Sequence, residues 1–321
     1  MLKTYLKFFI YIIFLQSTML FAAYPEKPVK WVFPNKAGSG YHKIALALAQ
    51  ELKKTGLAKT AIAVQAMPGG GTSQGTRFVQ EQAADGYTLM FIHEAPLQTS
   101  KLGMLGFNIM EEFEILGRYT CGYPGAWARA DADFNNMAEL KEYSKSNPVR
   151  LAINTGALSH LEMITLADRV GFDPRLVHVS GGGAGFKAAL LAGDIDVIHG
   201  SPHNFAPLVK AGKVKGLATY GKERSTMAPD VPTFIEQGYQ LEGTIGNCSY
   251  LWVRTSAPQE VKDYWRSTMK TLLSKPEVVK RLTKLLGKDI EYFGGPDLTD
   301  AMNKQYVMRA NFIDKFNVKV N

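Results

Sequence analysis

Three glycine-rich runs are the residues most able to do chemistry in this chain. They are Ala37-Gly38-Ser39-Gly40, Pro68-Gly69-Gly70-Gly71 and Gly181-Gly182-Gly183-Ala184-Gly185. Each follows an apolar, β-branched run and precedes a helical pattern. Glycine lets backbone N–H groups approach a ligand, and the helix that follows offers unpaired N–H groups at its positive end. One such loop reads as a tight turn. Three at equivalent strand-to-helix positions point to an anion cradle for a carboxylate or phosphate. Six histidines, at 42, 93, 160, 178, 199 and 203, invite a metal reading. His199 and His203 have i,i+4 spacing, but Pro202 between them spoils a shared helix face, so no metal is expected. His42, His93 and His160 fall at loops or helix starts and are candidate ligand donors; satisfied structural histidines are the alternative.

Enzyme motifs are absent or weak. GxxxxGK[ST] fails because Phe186 follows Gly185, and GxSxG does not occur. Gly183 to Ala188 satisfies GxGxxA. The acid expected about 20 residues on for a dinucleotide site is replaced by His199 and Ser201. No nucleophile–base pair stands out, so no catalysis and no cofactor are expected.

The elements that must position these loops alternate. Val29–Pro34, Ala61–Gln65 and Tyr87–Ile92 read as strands, separated by helices over Ile44–Leu52 and Thr72–Ala84. A second such unit has strands at Arg150–Ile153, Leu176–Val179, Asp196–His199 and Lys215–Tyr220. Its helices are Ser159–Val170, Phe186–Ala192 and Phe205–Ala211. Each βαβαβ unit predicts a parallel sheet with right-handed crossovers. Leu116–Arg129 and Cys248–Val253 are extended stretches between and after the units. Gln259–Leu273, Pro276–Leu286 and Leu298–Phe316 are helical. Two α/β units joined by two extended stretches predict two lobes with a cleft, its walls made by loops beyond the carboxyl ends of the strands.

The 321 residues, 46% hydrophobic and 21% charged, exclude disorder and a small disulfide scaffold. Lys+Arg exceeds Asp+Glu by 37 to 29, spread along the chain, which fits a small anion and not nucleic acid. Residues 1–23 read as a signal peptide: Lys3 and Lys7, the apolar run Phe8–Leu15, then Ala22-Ala23 at the cleavage point. Cleavage takes the formal charge from +8 to +6, because Lys3 and Lys7 are lost. The mature protein is expected to be exported.

The order of several motifs resembles the solute receptors of tripartite tricarboxylate transporters, also called Bug receptors. The similarity begins with Tyr24-Pro25-Glu26-Lys27-Pro28-Val29, Phe33-Pro34, Gly38-Ser39-Gly40 and Ala45. It continues with Pro68-Gly69-Gly70-Gly71, Gly75 and Asp85-Gly86-Tyr87-Thr88-Leu89. His178-Val179, Leu190-Leu191-Ala192-Gly193-Asp194-Ile195-Asp196, Pro229-Asp230-Val231-Pro232-Thr233 with Glu236 and Gly238, and Ala257-Pro258 complete it. The resemblance implies an α/β, two-lobed periplasmic-binding-protein fold of the flytrap kind with two crossover strands. It implies lobe 1 from 24–120 plus 249–321 and lobe 2 from 121–248. Such a receptor captures a small organic anion, delivers it to a two-subunit membrane permease, and is expected to be a monomer without catalysis. An exported α/β enzyme or a sensory binding protein using the same cleft is the alternative.

The resemblance and the loops together nominate a ligand set. In the first lobe it comprises Gly38, Ser39, Gly40, Tyr41, His42, Gly70, Gly71 and His93. In the second it comprises Asn154, Ser159, His160, Gly182, Gly183, Ala184, Gly185 and Ser201. Two departures bear on the ligand. Tyr41-His42 stands where the family has Thr-Asp, and Ser180-Gly181-Gly182-Gly183 where it has about Pro-Tyr-Lys-Gly. At a helix start the dipole disfavours imidazolium, so His42 is expected to act as a hydrogen-bond partner. No arginine clamp is visible. Cys121 and Cys248 lie on the two extended stretches, which in this fold run side by side as the hinge. They are expected to be near neighbours, as two separately buried thiols in preference to a disulfide.

Overall fold

The computed structural model describes residues 24–155, 157–180, 182–221, 223–240, 247–287 and 289–318. The expected signal peptide and Gly181 lie outside the described residues.

Two mixed sheets form the frame. The first has the order β11-β4-β10-β3-β1-β2, with β1 Val29–Phe33, β2 Ile62–Ala66, β3 Thr88–Ile92, β4 Phe113–Gly122, β10 Asn247–Arg254 and β11 Asp289–Phe293. The second has the order β7-β6-β8-β5-β9, with β5 Gly125–Arg129, β6 Val149–Ile153, β7 Pro174–His178, β8 Val197–Gly200 and β9 Val214–Thr219. Helices α1 Gly40–Lys54, α2 Ser73–Glu81, α3 Ala95–Lys101, α4 Ile109–Glu112, α9 Gln259–Leu273, α10 Pro276–Leu286 and α11 Pro296–Lys315 accompany the first sheet. Helices α5 Met137–Ser144, α6 Leu158–Val170, α7 Gly182–Ala192 and α8 Pro202–Lys210 accompany the second.

Each predicted unit holds a parallel triplet: β1 pairs β2 and β3 in parallel, and β6 pairs β7 and β8 in parallel; the fourth strand expected in the second parallel unit, β9, instead pairs antiparallel with β5, which inserts between it and β8. The remaining pairings are antiparallel, because the chain enters and leaves each sheet on extended strands: β10 lies against β3 and β4, and β5 against β8 and β9. Alternate residues serve opposite faces, as a pleated strand requires. Leu89 and Phe91 pack with Trp31 and Trp265 on one face; Met90 and Ile92 pack with Val32 and Trp252 on the other. In the second sheet Leu151 and Val197 join one cluster, Ala152 and Ile198 the opposite one.

Register decides where the cleft lies. β4 runs in the direction of β3, since both are antiparallel to β10, and it ends at Gly122 on the edge that carries the loops after β1, β2 and β3. The chain re-enters the second sheet at Gly125, opposite Gly200 at the carboxyl end of β8, and leaves it at Thr219, also opposite Gly125. Both crossings therefore join the loop-bearing edges, and these edges face one another. The stretch expected as one element over 116–129 is two strands in different sheets, broken at Tyr123-Pro124, where Pro124 has no N–H for a ladder.

Cys121 and Cys248 are register partners on β4 and β10 and form a disulfide, with Cα atoms 4.0 Å apart. This corrects the expectation of separate thiols: direct pairing of the strands places the two side chains on the same face. The helices α3, α4 and α5 and the strand β11 are not among the elements expected from the sequence. Each is short, with too few periods to rise above its neighbours. The third glycine run, expected as a loop through Gly185, is already helical from Gly182. Among the described residues no helix is long and apolar enough to cross a membrane.

Candidate functional site

The first loop leaves β1 and opens α1. Gly38 has φ +78°, and its N–H donates to His42 Nδ1 at 3.2 Å. The His42 ring thus acts as an acceptor that closes the loop, as a neutral imidazole can. Ser39 is the N-cap of α1 but makes no side-chain cap, and its buried Oγ has no hydrogen-bond partner among the described residues. Gly40 and the following N–H groups are the unpaired donors of the helix start. Tyr41, next in line, meets His93 edge-on with ring centroids 4.7 Å apart.

Gly70 and Gly71 occupy a short turn at φ +53° and +61°. A Cβ on Gly70 would stand 2.3 Å from Ser73 Oγ, so the turn itself demands glycine there. The third run differs. A Cβ on Gly182 or Gly183 would meet nothing within 4 Å, and Gly183 and Ala184 are exposed. Gly185 is the constrained member: a Cβ would come within 1.9 Å of the Ser180 carbonyl oxygen.

The loops after β3, β6 and β8 complete the edges. His93 is buried, and its Nδ1 accepts from Ala95 N–H at 3.1 Å. Ser159 Oγ accepts from Asn154 N–H at 3.0 Å, so these two candidates hold their own loop together. His160 is buried, and burial lowers its pKa. Ser201 caps α8 by position, without a side-chain cap. The structure therefore joins Tyr41 to His93, Gly38 to His42 and Asn154 to Ser159. Gly70, Gly71 and Ser201 lie on the same edges. Across the cleft, Gln98 Nε2 on α3 donates to Ala157 O before α6 at 2.8 Å, which ties the two edges directly.

A group of charges missed in the sequence lies among these loops. Glu94, next to His93, is 2% exposed; its Oε1 accepts from Tyr250 OH at 2.9 Å and Cys248 N–H at 3.3 Å. Glu162 on α6 is 2% exposed, and its Oε2 stands 3.1 Å from His199 Nδ1. Arg309 on α11 is 1% exposed. Burial raises the pKa of both carboxyls, that of Glu162 to about 8, while the nearby Arg309 guanidinium pulls each down. Glu94 adds to the rise at Glu162 by repulsion. Tyr41 feels both carboxylates, and burial before all else pushes its phenol well above the ordinary range. The sequence reading saw no arginine near the glycine loops; the structure places the buried Arg309 close enough to Glu94 and Glu162 to act on both carboxyls. The available signal was a lone charge inside each apolar run, as in Leu161-Glu162-Met163-Ile164 and Ile92-His93-Glu94-Ala95.

A groove of about 620 Å³ lies elsewhere, between α6 and α11, lined by residues such as Asp168, Asn303, Val307 and Lys315. It contains none of the nominated ligand residues, and no convergent chemistry distinguishes it.

Known proteins share this arrangement. The protein from the gbd 5′ region of Cupriavidus necator is 29% identical over 228 residues, 69% of this chain and 67% of that protein. The periplasmic binding protein BugD superposes with a TM-score of 0.76 at 28% identity, covering 92% of this chain and 99% of BugD. The Rhodopseudomonas palustris protein MatC, solved with malate, gives a TM-score of 0.75 at 23% identity over 90% of this chain and 100% of MatC. An R. palustris protein solved with adipate gives 0.79 at 17% identity, covering 92% and 99% of the two chains. Residues 44–315 match the tripartite tricarboxylate transporter family receptor profile. With its two facing sheets, two crossings and glycine loops at the facing edges, the chain belongs to the tripartite tricarboxylate transporter receptor family of periplasmic solute-binding proteins.

Proposed function

We propose that this protein is an extracytoplasmic receptor that captures a small organic anion, a carboxylate, between its two lobes and delivers it to a two-subunit membrane permease without chemical change. The observation that carries the reading is the meeting of strand ends. Helices α1 and α7 begin at the facing edges, each with its orphan N–H groups and positive dipole end there, and the buried Ser39 hydroxyl lies beside the first. The malate and adipate bound by two structural relatives belong to the same ligand class. The ligand shell in this reading is Ser39, Tyr41, His42, His93, Asn154, Ser159, His160, Gly182 to Gly185 and Ser201, with the lobes dividing near Cys121 and Cys248.

Export is part of the reading. Residues 1–23 act as a signal peptide, cut before Tyr24. The Tyr24 backbone N–H donates to Glu260 Oε1 at 3.1 Å, and its ring is buried against Trp265, whose Nε1 donates to the Tyr24 hydroxyl at 2.8 Å. A cut there turns that amide into an ammonium already facing a carboxylate. The mature protein acts as a monomer.

A thermal-shift screen over organic acids that includes malate and adipate tests the function. A ligand of the folded state raises the melting temperature with concentration, by about 2.7 kcal/mol of stabilisation at 100 times Kd. If no carboxylate in the panel shifts the transition, the reading falls.

A further inference from the structure

The cluster of Glu94, Glu162 and Arg309 has more bonding capacity than the described residues use. None of the three guanidinium nitrogens of Arg309 has a hydrogen-bond partner among the described residues, although the side chain is 1% exposed. Glu94 Oε2 and Glu162 Oε1 are in the same condition. A buried ion without hydrogen bonds is costly, and a guanidinium is shaped to hold a carboxylate by two parallel bonds. The cluster also lies where the lobes meet. Glu94 belongs to the edge of the first sheet and Glu162 to the first turns of α6 at the edge of the second, while α11 packs against both α3 and α6. Tyr41, from the first glycine loop, interacts with both carboxyls.

One guanidinium cannot neutralise two buried carboxylates, so one of them keeps a proton. The hydrogen bonds say which. Glu94 accepts from Tyr250 OH and Cys248 N–H, both of which favour its ionised form, whereas among the described residues Glu162 has the His199 ring at Oε2 and nothing at Oε1. With His199 Nδ1–H donating to Oε2, the proton of Glu162 resides on Oε1, the oxygen without a partner.

We propose that Arg309 and protonated Glu162 together clamp one carboxylate of the ligand, Arg309 by charge and two-point hydrogen bonding and Glu162 by donating its retained proton. This inference rests on the carboxylate-receptor reading and adds a side-chain anchor to a site otherwise built from backbone donors. His199 is a positioning residue, holding the carboxyl so that Oε1 faces the ligand. The groups that face Glu162 are Arg309 from α11, Glu94 before α3, His199 on β8, Tyr220 after β9 and Tyr41 on α1. Burial pushes both phenols well above their ordinary range and the Glu162 carboxyl up to about 8, while free carboxylates are ionised above about pH 5.

The test is titration calorimetry of the full mature chain with malate and adipate from pH 6.5 to 9.5, in buffers of different ionisation enthalpy. Affinity is expected to hold steady to about pH 7.5, then fall towards ten-fold per pH unit above pH 8, with proton uptake approaching one per ligand. Glu162→Gln is expected to bind more weakly at pH 7, by about three- to ten-fold, and to lose the pH dependence, because an amide donates at every pH. Arg309→Met is expected to lose 30-fold or more, with a thermal melt to verify folding. If Arg309→Met does not fold, proton uptake by the unsubstituted protein decides. Binding with a flat profile overturns the clamp and leaves the receptor reading standing. Affinity that rises with pH also overturns it, since a carboxyl that must keep its proton to hold the ligand cannot bind better once it has lost it. If neither acid binds, nor any carboxylate of the wider panel, the receptor reading fails and the clamp with it.

Discussion

The crossing side and the cleft side join the same two lobes by different physics. At the crossing the chain itself spans the lobes, on two neighbouring strands of the first sheet that are locked to each other: β4 and β10 pair over their whole lengths and Cys121–Cys248 ties them. Buried Thr120 and Ser249 share a further hydrogen bond at 2.9 Å. At the cleft the connections are side-chain contacts, among them the Gln98 to Ala157 hydrogen bond and the Arg309 charge cluster. The first kind of junction costs too much to break in normal operation. The second can be exchanged for contacts to water or ligand. A receptor that must open needs this asymmetry, with a fixed axis on one side and replaceable bonds on the other.

The comparison breaks most sharply at the disulfide. Its closed loop has a sequence separation of 127, for which the chain-entropy account gives about 5 kcal/mol. Cys121→Ala with Cys248→Ala is expected to lose up to that amount in urea unfolding while changing ligand affinity less than three-fold. Two free thiols in denatured, oxidised protein would remove the covalent half of the contrast.

Acidity tests the replaceable side next. Glu162 holds its proton to about pH 8 when folded, and an unfolded glutamate to about pH 4.3. Between those values the unfolded chain releases a proton that the folded chain keeps, so stability falls as pH rises through this window. The contribution is at most about 1.4 kcal/mol per pH unit, levelling off above pH 8. Unfolding curves of the ligand-free protein and of Glu162→Gln should diverge in this range, with the variant showing the shallower slope. Parallel curves would mean that Glu162 is ionised when folded.

Smaller effects follow at the third glycine loop and the interlobe bond. Gly185→Ala drives a methyl into the Ser180 carbonyl, and the backbone must move; about 1–3 kcal/mol of stability is expected to go, measured by urea denaturation. A loss under 0.5 kcal/mol, as an order-of-magnitude threshold for a neutral surface change, would show that the loop yields without strain. Gln98→Ala removes one cross-cleft hydrogen bond, about 1 kcal/mol. It should shift the open-to-closed ratio about five-fold, seen as a larger radius of gyration in X-ray scattering. An unchanged radius would take that bond out of the closing balance.

How much of this was legible follows the same division. Glycine loops and alternating strands are local signals, and they located both parallel triplets and the strand ends that form the cleft. The Cys121–Cys248 neighbourhood was also within reach, because strands at two crossings must run together. Their covalent bond was not, since it depends on a register that neighbouring residues do not specify. Glu94, Glu162 and Arg309 are separated by 68 and 147 positions, as their numbering shows, and no spacing rule connects them. In the sequence each is a single charge in a mostly apolar run, and only the fold brings them together. His42 was read as a hydrogen-bonding imidazole, and its bond to Gly38 has that character, but the partner is its own loop.

Helix α11 gives the molecule a third span between lobes. Twenty residues at 1.5 Å each make a rod of about 30 Å. It starts beside the first sheet, and its far end buries Phe312 and Ile313 with Leu161 and Ile164 of α6, while Lys315 pairs with Asp168 at 2.6 Å. A swing about the two crossings that separates the lobes must peel this end away or drag α6 with it. The rod would therefore act as a brake on such a swing. Dwell time of a captured solute is then set by how often the brake releases, and shortening the carboxyl-terminal end should speed escape more than it weakens capture.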